Sequence, residues 1–236
     1  MTLFLLLLLG HLLGDFVFQP GRLVVAKRSS IVGQVLHVAI IVVCTAGVLA
    51  HAIARAWPAV IASGAAHLAI ENMSVPARND GRHSGTLVFA LDQGLHLLSL
   101  VIISLLLPVS VPVGIAGIAM TLPQLAFVDG VIAASTMGAI LAFELRVSTQ
   151  EDAEESVPLL AFDFARVYGM LERAAALSIG VLSPYPAAGL AVFVPRIVFA
   201  WNSPPARRAR HLSEAAVGAA LCTAIWLLVA TVAWMT

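Results

Sequence analysis

Three pairs of ionisable residues, each spaced four apart, interrupt apolar sequence in the first half of the chain. They are His11-x-x-x-Asp15, His67-x-x-x-Glu71 and Asp92-x-x-x-His96, and His37 stands alone on a fourth apolar segment. A spacing of four puts both side chains on one helix face, about 6 Å apart at Cβ. Ionisable groups inside a bilayer cost about 2.5–3.5 kcal/mol each on insertion scales, so they face a protein interior or a wet cavity. Three pairs and a lone imidazole therefore point to one shared polar centre. Imidazole with carboxylate oxygen is a ligand set for a divalent metal. His11, Asp15, His37, His67, Glu71, Asp92 and His96 are seven candidate ligands for one or two ions, with zinc, manganese, iron and magnesium all open.

Composition sets the surroundings of that chemistry. Of 236 residues, 60% are hydrophobic and 11% charged. The mean hydropathy is +0.98. A soluble domain is nearer 45–50% apolar and 25% charged, so the expected class is an all-α polytopic transmembrane bundle. The formal charge is zero, which gives no basic field for nucleic acid. Cys44 and Cys222 lie in apolar runs and read as small buried hydrophobes. The amino-terminal run lacks a basic flank and a cleavage site, and it contains His11 and Asp15. It reads as a retained first helix.

A spanning helix needs about 17–25 apolar residues. Candidate spans are 2–20, 31–55, 58–74, 85–107, 122–145, 159–182, 187–201 and 213–235, giving seven or eight helices in a single domain over 1–236. Helices within 1–107 would build the polar site, and 108–236 would support it. The Pro/Gly-broken run 108–121 reads as a surface or re-entrant segment. Arg22, Lys27, Arg28, Arg78, Arg82, Arg146, Arg207, Arg208 and Arg210 fall in alternate loops, nine of the 13 basic residues. The positive-inside rule then places both termini outside, and the setting expected is a bacterial inner membrane. The acidic run 151–155 reads as a solvated loop.

That orientation converts sequence position into depth at about 1.5 Å per residue. Asp15, His37, His67, Asp92 and Glu71 come out about 5–10 Å from the inner ends of their helices, and His11 and His96 about 14–16 Å. Four helices of alternating direction thus present polar groups in one layer. Gly10-x-x-x-Gly14 brackets His11 and would let a neighbouring backbone come close.

HLLGDFVFQ near the start, the lone His of the second span, H-x-x-x-(acid) on the third and LDQGLH on the fourth resemble bacterial membrane proteins filed as domain of unknown function 3307. YGMLERAAALSIGVL resembles the carboxyl-terminal half of longer members. Glu71-Asn72 departs from the Asp common at that point. The resemblance implies a membrane protein and supplies no activity.

The function expected from the residues is an intramembrane enzyme acting on an amphipathic, lipid-like or isoprenoid substrate through a metal-dependent His/carboxylate centre. Asp15, Asp92, His96 and Glu71 are the candidate catalytic groups. Gln19, Asn72 and Gln93 are candidates for orienting substrate. Arg78 and Arg82 at the rim, and Arg173 and Arg196 further on, would bind an anionic group, while membrane lipids would be the contacts. One alternative is a metal-free cyclase, in which a carboxylic acid kept protonated in an apolar pocket donates to an isoprenoid chain. Another is a proton or cation relay of the kind transporters use. A purely structural network of polar groups is the fourth.

Overall fold

The computed structural model describes residues 1–80, 84–149 and 164–235. It is an all-α, multi-helix bundle that divides into two compact units, Met1–Leu125 and Ala126–Thr236. Among the described residues, five helices are long and apolar enough to cross a bilayer. They are Ile31–Val48, Ala50–Asn79, Gly85–Leu106, Leu122–Leu145 and Arg207–Trp234. A bent pair, Thr2–Val17 with Gly21–Ser29, makes six if it counts as one span.

In the first unit, α1 (Thr2–Leu12) runs into a π turn, Leu13–Val17. The chain then bends by 95° into α2 (Gly21–Ser29). Helices α3 (Ile31–Val48), α4 (Ile53–Asn79) and α5 (Gly85–Leu106) follow. Packing closes a ring, since α1 lies against α3 and α5, and α4 lies against the same two. The first expected span therefore stops at Val17, and residues 21–29, read from sequence as a loop, are a helix packed on α3. Residues 108–121 form no helix before a two-residue antiparallel pair, β1 (Gly114–Ile115) with β2 (Ile118–Ala119). His51 reaches Pro112 O from its helix end at 3.2 Å.

The reason for this packing is small residues on α1. A Cβ on Gly10 would stand 2.5 Å from Thr45 Cα, and one on Gly14 2.8 Å from Ile41 Cα. Only glycine allows α1 to lie that close to α3. Each helix keeps one buried stripe. On α5 it is Val88, Phe89, Asp92, His96, Leu100 and Ile103, a helical period that carries the ionisable groups inward. The other face exposes Leu91, Leu95, Leu98, Ile102 and Leu105. In water that surface would aggregate; in a bilayer it is the lipid contact.

The junction of α2 and α3 is fixed by Ser30 and Gly33. Ser30 Oγ accepts from Gly33 N at 3.1 Å, capping α3. Gly33 itself lies so close to the Ala26 carbonyl that any Cβ there would clash. The angle of α2 against α3 thus follows from two small residues, and it aims Lys27 inward.

The second unit holds α6 from Ala126 onward (the helix is Leu122–Ile132), a π turn at Ala133–Met137, and α7 (Gly138–Thr149). Then come α8 (Phe164–Leu182), a 3₁₀ segment Pro186–Phe193, α9 (Val194–Trp201) and α10 (Pro205–Trp234). The expected span 187–201 is this 3₁₀ stretch followed by eight α-helical residues. The expected span 159–182 is described from Phe164. The acidic run 151–155 lies outside the described residues.

Replacing Gly14 with Val should cost the first unit at least about 1–3 kcal/mol through overpacking. It should lower the unfolding midpoint in detergent. Gly47→Ala and Gly94→Ala should hold or raise that midpoint, because a Cβ at either site meets nothing within 4 Å and Ala is favoured over Gly in a helix by about 1 kcal/mol. Equal midpoints for all three variants would show that α1 does not sit on α3 as described.

Candidate metal centre

The first unit gathers all seven candidate ligands into its interior. His37 is 0% exposed, His67 and His96 are 2% and His11 is 4%. Asp15, Glu71 and Asp92 are also buried. The ring of α1, α3, α4 and α5 turns one polar stripe from each helix toward a common axis. Asp15 comes from the π turn, where the extra residue redirects the backbone; such turns recur at functional sites.

At one end of the centre the acids meet a cation. Lys27 Nζ lies 3.2 Å from Glu71 Oε1 and 3.7 Å from Asp15 Oδ1. It also donates to His37 Nε2 at 3.3 Å. His37 Nε2 in turn lies 3.2 Å from Asp15 Oδ1 and 3.8 Å from Glu71 Oε2. Gln19 satisfies its amide by accepting from His37 Nδ1 and from Lys27 Nζ, both at 3.0 Å, and by donating to Asp15 O at 3.0 Å. One ammonium therefore stands among two carboxylates and an imidazole that hydrocarbon would otherwise leave uncompensated.

At the other end the groups are imidazoles. His67 Nε2 stands 2.9 Å from His37 Nε2, and this contact joins the two ends. The His67 and His96 rings stack at 4.1 Å with 13° between planes. The His11 ring centre is 4.9 Å from that of His96 and 5.3 Å from that of His67. A cavity of about 10 Å³ borders these three imidazoles and the hydroxyls of Thr45, Ser63 and Ser99. That is room for about one water. Asp92 Oδ2 accepts from Arg78 Nη2 at 3.2 Å and from Gln93 Nε2 at 3.1 Å. Gln93 also donates to Asp15 Oδ2 at 3.3 Å, so it spans the two acids.

Two groups of side chains have metal-ligand geometry: His11, His67 and His96, and Asp15, His37 and His67, with one donor atom from each residue within 4.8 Å of the others. His67 belongs to both. The chain thus carries a buried His/carboxylate centre in a membrane-embedded helical bundle, able to coordinate a divalent ion.

Gln19, Gln93 and Arg78 join the seven candidate ligands in this network. Asn72 does not; it is exposed, one residue past Glu71 on the outward side of α4. Arg82 and His83 lie outside the described residues. Arg173 and Arg196 belong to the second unit and form a network there. Arg173 Nε donates to Ala134 O at 2.8 Å and its Nη2 to Ser135 O at 3.3 Å, carbonyls of the π turn. Arg196 Nε donates to Glu172 Oε2 at 2.6 Å, and Arg196 also pairs with Glu214. Both oxygens of Asp129, on α6, are buried without a hydrogen-bond partner. Between α8, the 3₁₀ segment and α10 lies an apolar recess of about 200 Å³ lined in part by Leu177, Leu190 and Trp226.

The residue that sequence reasoning placed wrongly is Lys27. It reads as one of several basic residues on a cytoplasmic rim, yet it reaches the middle of the acids. The available signal was Leu23, buried one turn earlier on the same face of α2. A basic residue four positions after an inward leucine points inward.

Lys27→Met should leave Asp15 and Glu71 without their cation and cost about 3–5 kcal/mol, the range for breaking one side of a buried pair. Adding Glu71→Gln should recover part of that loss. A double-mutant cycle in detergent, read from unfolding midpoints, should give a coupling of about 0.5–3 kcal/mol. Additive losses would place Lys27 outside the centre.

No curated protein and no solved structure matches the chain. What does match is a family model over the part of the sequence bearing every residue of the centre. Over residues 3–116 this membrane protein matches the family described as "Protein of unknown function (DUF3307)".

Proposed function

We propose that the chain is an intramembrane enzyme that uses a divalent ion at this centre to act on the polar head of an amphipathic, lipid-like substrate. The observation that carries the reading is the pair of overlapping ligand groups that share His67. A structural network has no need to align imidazole and carboxylate donors around common points. A bound divalent ion polarises substrate oxygens and acidifies bound water.

The chain's own residues have separable parts in this reading. His11, His37, His67 and His96 with Asp15, Glu71 and Asp92 are the ligand and acid–base set. Gln19 and Gln93 hold the acids and imidazoles in position by hydrogen bonds. Arg78 is less buried than Asp92, its partner, so it stands at the edge of the centre, where an anionic head group would be met. A centre among lipid-exposed helices is reached by a substrate that already lives in the bilayer. The water-sized space beside the imidazoles favours chemistry on a small head over folding of a whole isoprenoid chain, since pockets for ligands of drug size run to about 300–1,000 Å³.

A second reading has one observation in its favour. Lys27 already supplies a cation to Asp15 and Glu71, so acid–base chemistry without a metal has a charge-balanced site to work from. Chelation separates the two.

Purified protein in detergent is incubated with a total polar-lipid extract of the host membrane and zinc, manganese or magnesium, and the lipids are followed by mass spectrometry. At least one lipid species should be consumed by the native chain and left intact by His67→Gln. EDTA should abolish the conversion and refilling with metal should restore it. Conversion that survives EDTA would transfer the activity to the metal-free reading. Lipid profiles identical for the native chain and His67→Gln would end the enzyme reading.

A further inference from the structure

The two ligand groups are not equivalent, and hydrogen bonding tells them apart. At the acid end the donor atoms are already engaged. Lys27 contacts Asp15, Glu71 and His37 Nε2. His37 Nδ1 is engaged with Gln19, and His37 Nε2 stands 3.2 Å from Asp15 Oδ1. His67 Nε2 lies 2.9 Å from that same His37 nitrogen. One ring nitrogen of His67 is therefore engaged at the acid end, and Nδ1 is the other.

That second nitrogen has no partner. His67 Nδ1 is buried and makes no hydrogen bond, and the same holds for His96 Nε2 and for Asp92 Oδ1. All three residues are at least nine-tenths buried. His96 Nε2 and Asp92 Oδ1 lie 3.8 Å apart, too far for a hydrogen bond. Two donors on one zinc-sized ion stand about 3–4 Å apart, from metal–ligand distances near 2.0–2.2 Å. The cavity next to His11, His67 and His96 is bordered by three hydroxyls. Each of these donates to its own helix, Thr45 to Ile41 O, Ser63 to Val60 O and Ser99 to His96 O. Their oxygens remain acceptors for a water.

We propose that one divalent transition ion is held by His11, His67 and His96, with Asp92 Oδ1 beside His96 Nε2, and that the Asp15/Glu71 end is not a second ion site but the seat of Lys27. His67 binds through Nδ1, and the contacts Gln19–His37–His67 hold the other nitrogen of its ring. Metal-bound imidazoles generally donate their other ring N–H in this way. The neutral three-imidazole set with a water-sized space beside it is the ligand pattern of a catalytic site that keeps a position open. This assignment rests on the metal-dependent reading above and narrows it to a borderline-soft ion such as Zn²⁺ or Co²⁺, against Mg²⁺.

The test is titration of the purified full chain in detergent with Co²⁺ alone, followed by its visible absorption, together with X-ray absorption of the Zn²⁺-loaded native protein. The native chain should bind one equivalent. His11→Gln and His96→Gln should weaken it on the order of a hundredfold or more, beyond the tenfold to hundredfold typical of outer partners. Asp15→Asn should stay within about tenfold. The zinc shell should contain three imidazoles, a readout that needs no variant to fold. Loss of the ion in Asp15→Asn with retention in His96→Gln would overturn the assignment and leave a metal-dependent centre at the acid end. Two equivalents, or a shell with fewer than three imidazoles, would also overturn it. Binding by no form of the protein would remove the metal-dependent reading itself.

Discussion

A carboxylate in hydrocarbon needs a cation, and for Asp15 and Glu71 that cation is Lys27. The rest of the first unit follows from putting this ammonium where it is. It hangs from a short helix, α2, that leaves the bilayer-crossing direction by 95°. Pro20 precedes that helix and cannot donate a backbone bond, so the chain turns there. Ser30 and Gly33 then lock α2 against α3. A lysine with a flexible four-carbon stem can reach from that outer position to the acids and still leave the helix backbone near polar surroundings. The fold therefore spends a whole element on positioning one charge.

Glycine and the π turn do the same for the imidazoles. Close approach of α1 to α3 at Gly10 and Gly14 brings His11 and Asp15 into the layer of His37. The π turn at Leu13–Val17 then ends the helix within reach of Gln19, whose amide holds His37 and Lys27 at once. The result is a polar interior in which most donors and acceptors are matched. Three of the exceptions, on His67, His96 and Asp92, are informative because they lie near one another. In the second unit Arg173 plays an analogous part, donating to the Ala134 and Ser135 carbonyls of a π turn.

Much of this was legible in the sequence. The four-residue spacing of His11/Asp15, His67/Glu71 and Asp92/His96 required one face per helix, and the apolar context required those faces to be inward. Depth counting then put them in one layer, and the structure brings them together. Gln19 and Gln93 were legible for the same reason, as polar residues one turn from a ligand. Lys27 was not, because nine polar-flanked residues rich in Lys and Arg read as a cytoplasmic loop, and the positive-inside rule explains them fully. Asn72 lies apart from the network because adjacency in sequence is not adjacency on a helix, where the next residue points about 100° away. The broken first half of the expected span at 187–201 follows from Pro186 at the start of the segment and from Gly189, which packs too tightly on α8 for an α-helical turn with a side chain. Tautomers and unpaired nitrogens depend on distances across helices, which no periodicity contains.

The account turns on the contact between the Lys27 ammonium and the Glu71 carboxylate, at 3.2 Å. Solid-state NMR on the full chain in lipid bilayers measures it directly, with ¹⁵N-labelled lysine side chains and ¹³C-labelled glutamate carboxylates. Lys27 is the only lysine of the chain, and the Glu71 carboxylate is assigned by the loss of one signal in Glu71→Gln. Strong dipolar dephasing of the Glu71 carboxylate by the Lys27 nitrogen is the predicted result. A Lys27 nitrogen that dephases no carboxylate, and exchanges freely with water as a head-group lysine does, would contradict the account.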